Sequence, residues 1–312
     1  MEDFTNWLPI EFEKSNSDYK VRWMHVGDKS FTKPFFYDSI QSLRHQNRPT
    51  KLTNLNALEH THCSSTLPPT AFIFHTSRCG STLMSQMLSQ SQKHLVFSEP
   101  MIVDCVLKYH LNNEPNNVKI IRNVIKALGQ RRNLAEKMFI KLDSWHISRI
   151  PLLRQAFPDT PFYLLYRSPL EILKSHQKQR GIQMVPGLVS LEELNLDNPR
   201  YHPADLDHYC LLVLKSFFLD ALRYINDIKL INYTQLPNIL WEAILPELDI
   251  ELDTNELDDL RKRSSTHSKQ QYSPFNGDQF DKEITLSEKA TKTLNELSIL
   301  YEKLCLQKSS VF

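Results

Sequence analysis

From Thr70 onward, short runs of uninterrupted apolar residues alternate with longer stretches in which apolar positions recur at helical spacing. The runs 71–74 (AFIF), 95–97 (LVF), 138–142 (MFIKL), 162–166 (FYLLY) and 228–232 (IKLIN) read as strands covered on both faces, since a strand with one wet face would alternate apolar with polar. Helices are expected over 81–91, 101–110, 117–133, 146–156, 169–180, 205–226, 235–244 and 286–306. The helix 205–226 carries its apolar face on Leu206, Tyr209, Leu212, Val213, Phe217, Leu219 and Leu222. Strands separated by helices predict an α/β fold in three layers, a central and mostly parallel sheet flanked by helices.

Two parts of the chain break this rhythm. Residues 1–66 are rich in aromatics (Trp7, Phe12, Tyr19, Trp23, Phe31, Phe35, Phe36, Tyr37) and end in a polar stretch, which predicts an amino-terminal extension packed on a main domain of residues 67–312. The segment 181–204 is too long for a simple connection and is expected to be a lid or substrate loop. No internal repeat or low-complexity tract interrupts the pattern.

Composition narrows the function classes. The 312 residues carry a net charge of +1, so no global field draws the chain to nucleic acid or to an anionic membrane, and any anion site has to be local. The five cysteines are scattered (Cys63, Cys79, Cys105, Cys210, Cys305), without the spacing of a disulfide framework or a zinc site, which fits a reducing compartment. His60, His62 and Cys63 stand close together but lack partners at ligand spacing, and no metal is expected. With no basic leader and no apolar run of the ~20 residues a membrane span needs, the expected location is the cytoplasm.

The chemistry is concentrated in two stretches. In the first, His75–Leu88 (HTSRCGSTLMSQML), a strand passes through a turn at Gly80 into a helix. Helix amino termini present free N–H groups and a positive dipole end, a ready place for phosphate or sulfate, and Arg78, Ser81 and Thr82 add donors. The loop is P-loop-like without being a Walker loop, which needs G-x-x-x-x-G-K-[ST]: Ser81 follows Gly80, and the basic residue precedes it. In the second stretch, FYLLYRSPLEILKSHQK (162–178), Arg167 ends a strand where open α/β sheets bind ligands. Ser168, Pro169 and Glu171 predict a capping box with proline at N1, and Ser175 stands eight residues after Arg167.

These two stretches resemble the sulfotransferases that use 3′-phosphoadenosine 5′-phosphosulfate (PAPS). Arg78-Cys79-Gly80-Ser81-Thr82 matches that family's phosphosulfate loop, [KR]-[ST]-G-[ST]-T, at four of five positions, with Cys79 in place of a hydroxyl residue. Arg167 and Ser175 match its 3′-phosphate motif. Arg in the loop, Glu99 in VFSEP and Lys141 in FIKLD are similar to the tyrosylprotein sulfotransferase branch. Tyr233 in INYTQLP resembles the tyrosine of the family's YEDL segment near the nucleotide, and Lys269 in RKRSSTHSK (261–269) corresponds to the basic residues that close over it. Leu83 replaces the aromatic that stacks on adenine in the cytosolic steroid and phenol enzymes, and Asp143 falls near their catalytic His.

The resemblance implies a sulfuryl transfer from PAPS to a hydroxyl or amine of a small-molecule, carbohydrate or peptide acceptor. Arg78 and the amides of Gly80, Ser81 and Thr82 would hold the 5′-phosphate. Lys141 would neutralise the sulfuryl oxygens, and Glu99 would take the acceptor's proton, with Asp143 or His146 as the replacement base. A P-loop kinase-like phosphotransferase and a non-catalytic nucleotide-binding protein are the alternative readings.

Overall fold

In a computed structural model, the structure describes residues 3–15, 18–59, 65–110, 117–266 and 284–307. Eight strands are present among them: β1 (Trp7–Ser15), β2 (Asp18–His25), β3 (Thr50–Asn54), β4 (Ala71–His75), β5 (His94–Ser98), β6 (Lys137–Lys141), β7 (Phe162–Tyr166) and β8 (Lys229–Asn232). The helices are α1 (Phe36–His45), α2 (Ser81–Leu88), α3 (Met101–His110), α4 (Asn117–Leu128), α5 (Ile150–Ala156), α6 (Pro169–Lys178), α7 (Leu206–Arg223), α8 (Leu245–Glu247), α9 (Thr254–Ser264) and α10 (Glu288–Gln307). No helix among the described residues is long and apolar enough to cross a membrane.

The last five strands form one parallel sheet in the order β5-β6-β4-β7-β8. Their apolar runs are continuous because alternate residues feed two separate cores. Phe72 and Phe74 of β4, Met138 and Ile140 of β6, and Phe162, Leu164 and Tyr166 of β7 pack on one face. Ala71, Ile73, Phe139, Tyr163 and Leu165 pack on the other. The first face is covered by residues of α3, α4, α5, α7 and α10, the second by α2, α9 and the π-helical turn Leu240–Ile244 that leads into α8. This is the expected mixed α/β fold with a parallel central sheet between helical layers.

Several local expectations are corrected. The helix expected over 117–133 stops at Leu128, where Gly129 follows and its backbone lies against the Leu67 carbonyl. The stretch 146–156 begins as a 3-10 turn, Ser144–Arg149, because Pro151 resets the chain at the start of α5. Residues 235–244 hold only the 3-10 turn Tyr233–Gln235 and the π-helical turn. Ser168 is the N-cap of α6 with Pro169 at N1, but no side-chain cap bond forms; Glu171 instead accepts from Arg167 Nε at 3.3 Å. In α7, Leu206 and Leu219 are exposed while His208, Ser216 and Asp220 are buried, since the helix is enclosed on more than one side. The helix α9 and the amino-terminal elements were not expected.

Those amino-terminal elements are an antiparallel sheet, β1-β2-β3, and α1. Phe4, Leu8, Ile10, Val21 and Trp23 share the first-face core with the parallel sheet. Phe31 and Phe36 stack on Phe97 of β5, with ring centroids 5.3 and 5.7 Å apart. That contact delivers Phe35, which precedes Phe36 in the chain, to the carboxyl ends of β5 and β6, where Lys141 and Glu99 lie. Segment 181–204 contains a 3-10 turn, Ile182–Met184, and is tied to α7 by Asn195 donating to Asp220 and by Ser216 donating to the Leu194 carbonyl.

Candidate functional site

A cleft of about 410 Å³ opens at the carboxyl ends of the parallel strands. The chain leaving β4 runs to β5 at one edge, whereas the chain leaving β6 crosses β4 to reach β7, and such a reversal is where open α/β sheets leave a crevice. Arg78, Cys79, Gly80, Ser81, Thr82, Glu99, Arg167, Ser175 and Tyr233 all line it. Lys141 lies beneath Glu99, with its ammonium in contact with the Glu99 carboxylate. Lys269, His60, His62 and Cys63 fall outside the described residues.

Backbone strain marks the same place. Among the described residues, nine that are not glycine have positive φ, and six of these are Asn or Asp, the types that tolerate it. The other three are Ser77 (φ 71), Arg78 (φ 48) and Glu99 (φ 55), and all three line the cleft. Strain of this kind persists only where the surroundings enforce it.

In the loop after β4, Thr76 N–H donates to the Leu165 carbonyl of β7 at 3.0 Å, which fixes the exit of the strand. Ser77 N–H donates to His75 Nδ1 at 3.1 Å. Its hydroxyl oxygen accepts from Gln183 Nε2 at 3.0 Å and lies 3.1 Å from His176 Nε2. Gly181 N–H donates to His176 Nδ1 at 3.2 Å, so in the neutral ring the proton sits on Nε2 and faces Ser77. The Arg78 guanidinium donates to the Gln179 carbonyl at the end of α6. This network joins the loop to α6 and to the start of segment 181–204, and sequence reading missed all of it.

Gly80 has φ +86, a conformation glycine adopts without a Cβ penalty. A Cβ there would stand 2.4 Å from Leu236 and 3.1 Å from Tyr233. Glycine therefore suits the left-handed turn, and a Cβ would press on the side chains that follow β8. Ser81 and Thr82 begin α2, whose first N–H groups open on the cleft. The Cys79 side chain is buried in the second core, and its thiol donates to the Leu165 carbonyl at 3.2 Å. Burial pushes that thiol up to about 11.

Arg167, buried at the end of β7, donates to the Arg78 carbonyl at 3.3 Å and places its guanidinium 4.0 Å from the Tyr233 ring centroid. Ser175 faces the same space from α6.

Sheet register builds the other end. Ser98 of β5 pairs with Lys141 of β6, and Glu99 N–H donates to the Lys141 carbonyl at 2.7 Å. Glu99 thus turns its carboxylate onto the Lys141 ammonium, with His75 Nε2 at 3.4 Å. Burial works to raise the Glu99 carboxyl, but Lys141 and His75 outweigh it and hold it well below the usual range. Burial lowers the His75 ring. Asp143 lines the cleft beside this pair, and burial, reinforced by Glu99 and Asp104, pushes its carboxyl well above the usual range.

Asp104 supports this end from behind, accepting from Trp145 Nε1 and lying against His146 Nε2, both at 2.9 Å, with Lys108 at 2.7 Å. Asp104, Asp143 and His146 bring ligand-type atoms within 4.8 Å of one another. Both His146 nitrogens are already engaged, however, since Asp143 N–H donates to Nδ1 at 3.3 Å.

No family model and no curated protein matches the chain. Among solved structures it is similar to a sulfotransferase from Alicyclobacillus acidocaldarius, with 11% identity, coverage of 78% of this chain and 95% of that chain, and a TM-score of 0.44.

Proposed function

We propose that the protein is a PAPS-dependent sulfotransferase acting on a hydroxyl or amine acceptor. The observation that supports the reading is that one cleft gathers two anion-binding elements from separate segments, the loop Arg78–Thr82 and the pair Arg167 and Ser175, beside a buried Glu99–Lys141 contact. A donor with phosphate groups at two positions needs two such elements. Backbone strain at Ser77, Arg78 and Glu99 shows the same region held in place at an energetic cost.

PAPS supplies the sulfuryl group and leaves as adenosine 3′,5′-bisphosphate. Arg78 and the first amides of α2 hold the 5′-phosphate, while Arg167 and Ser175 hold the 3′-phosphate, with Tyr233 packed on the guanidinium. Lys141 neutralises charge on the sulfuryl oxygens. Glu99 receives the acceptor's proton. The strong hold of Lys141 on Glu99 makes the carboxylate a weak base at rest. A second anion competing for the ammonium loosens that hold and makes Glu99 more basic when a proton has to leave.

The test is a thermal shift titration. Adenosine 3′,5′-bisphosphate is expected to raise the melting temperature saturably and Mg-ATP to have a much smaller effect. A larger shift with Mg-ATP overturns the reading in favour of a phosphotransferase.

A further inference from the structure

We infer that the acceptor is an uncharged alcohol or phenol carried on an apolar ring, bound at the carboxylate end of the cleft against Phe35 and Trp145; this rests on the sulfuryl-transfer reading above. Both side chains line the cleft. The Lys141 ammonium lies 5.3 Å from the Phe35 ring centroid, which puts that ring beside the Glu99–Lys141 contact where the acceptor oxygen has to arrive. Trp145 is fixed by its indole N–H, which donates to Asp104 at 2.9 Å, leaving its hydrocarbon surface as the part that can meet a ligand. Two aromatic surfaces offer apolar contact and ring packing to an acceptor that carries an apolar ring.

Charge makes the second half of the argument. Lys141 is in contact with Glu99, and Lys108 lies 2.7 Å from Asp104 and 2.9 Å from Glu193. Among the described residues, the two lysines at this end, Lys141 and Lys108, each already have a carboxylate. Asp143 adds a buried carboxyl whose proton is retained more readily than usual, and the buried His75 ring favours its neutral form. The described groups at this end therefore carry no net positive charge. An acceptor bearing sulfate or carboxylate groups would be desolvated against Glu99, where the described cations are already matched.

The reaction balances without a further reagent. The acceptor oxygen forms a bond to sulfur while the bond from sulfur to the bridging phosphate oxygen breaks, its electron pair going to the phosphate. The acceptor's proton goes to the Glu99 carboxylate.

The test measures binding by calorimetry on the full chain. Adenosine 3′,5′-bisphosphate is titrated first, and failure to bind overturns the sulfuryl-transfer reading alone. 2-Naphthol is then titrated with and without the bisphosphate, beside a heparin-derived disaccharide and an acidic tyrosine peptide. The expected result is that 2-naphthol binds and the two anionic probes bind at least about tenfold more weakly. Phe35→Ala is expected to weaken 2-naphthol roughly tenfold, a loss of about 1.4 kcal/mol, and to leave the bisphosphate within about twofold. Phe35→Leu, which keeps apolar bulk, shifts 2-naphthol in the same direction by less and serves if the alanine variant does not fold. Binding of either anionic probe as tightly as 2-naphthol, no binding of 2-naphthol, or an unchanged 2-naphthol affinity in the folded Phe35 variants overturns the inference.

Discussion

The two ends of the cleft bury charged groups by different means. At the end formed by the loop after β4 and the end of β7, Arg78 and Arg167 bond to backbone carbonyls, Gln179 and Arg78 respectively, and Tyr233 covers the Arg167 guanidinium. Carbonyls orient a guanidinium without cancelling its charge, and Glu171, the carboxylate 3.3 Å from Arg167, has a side chain 42% exposed. At the other end Lys141, 1% exposed, is matched directly by Glu99. The first end holds its guanidinium groups largely by backbone carbonyls and an aromatic ring, and the second meets a buried ammonium directly with a carboxylate. In the proposed reading the polyanionic donor takes the first end and the uncharged acceptor the second.

Removing a charge should therefore cost stability at the second end and ligand affinity at the first. The largest expected effect is that of Glu99→Gln, which leaves the Lys141 ammonium buried without a counter-charge. Breaking a buried pair costs about 3–5 kcal/mol, and the partial exposure of Glu99, 22%, points to the lower part of that range. The double variant Glu99→Gln, Lys141→Met should recover part of the loss, because no orphaned charge remains. Denaturant unfolding measures both; a single variant as stable as wild type would show that the pair contributes nothing and would erase the contrast between the ends.

Arg167→Ala is expected to leave the fold largely intact and to weaken adenosine 3′,5′-bisphosphate by roughly 10- to 100-fold, the equivalent of ~1.5–3 kcal/mol for a lost charge-assisted contact. Calorimetry with the bisphosphate and with 2-naphthol on the same sample sharpens the comparison, since only the first should change. An unchanged bisphosphate affinity would remove Arg167 from the anion end.

Much of this division is visible in the chain before folding. The strand β7 falls at 162–166 as expected because five apolar residues are bounded by Pro161 and by Arg167-Ser168-Pro169. The same punctuation places Arg167 at a strand end. Glu99 and Lys141 could be named from their positions, but their contact depends on the β5–β6 register, which no local pattern encodes. Asp104 and His146 meet across 42 residues for a similar reason. A loop motif does not reveal which residue turns inward, and here the thiol's bond to the Leu165 carbonyl turns Cys79 in. Phe35 carried no signal, since its position follows from Phe31 and Phe36 packing on Phe97. The strands β1 and β2 were legible in principle: Glu11 and Glu13 alternate with Phe12, a period of two that the local density of aromatics obscured.

The smallest expected effect has the opposite sign to the first and lies a few side chains away. Burial raises the Asp143 carboxyl well above its ordinary value of 3.8, and Glu99 and Asp104 push the same way. Below about pH 4 both folded and unfolded chains hold this proton, and the group does not affect stability. As pH rises past that value the unfolded chain releases the proton while the folded chain keeps it, so stability falls until the folded group ionises too. Asp143→Asn cannot ionise. It is expected to be more stable than wild type at neutral pH by on the order of 1 kcal/mol, with the advantage vanishing toward pH 3.5. Glu99 runs the other way: its carboxyl is depressed, so its contribution is present above its ordinary 4.5 and is lost as pH falls toward about 2. Melting curves of Asp143→Asn and Glu99→Gln from pH 3.5 to 8 should diverge from wild type in opposite directions as pH rises. An Asp143→Asn variant that is less stable than wild type at neutral pH would mean that the Asp143 carboxylate is compensated after all, and that the two carboxyls of the acceptor end differ in degree alone.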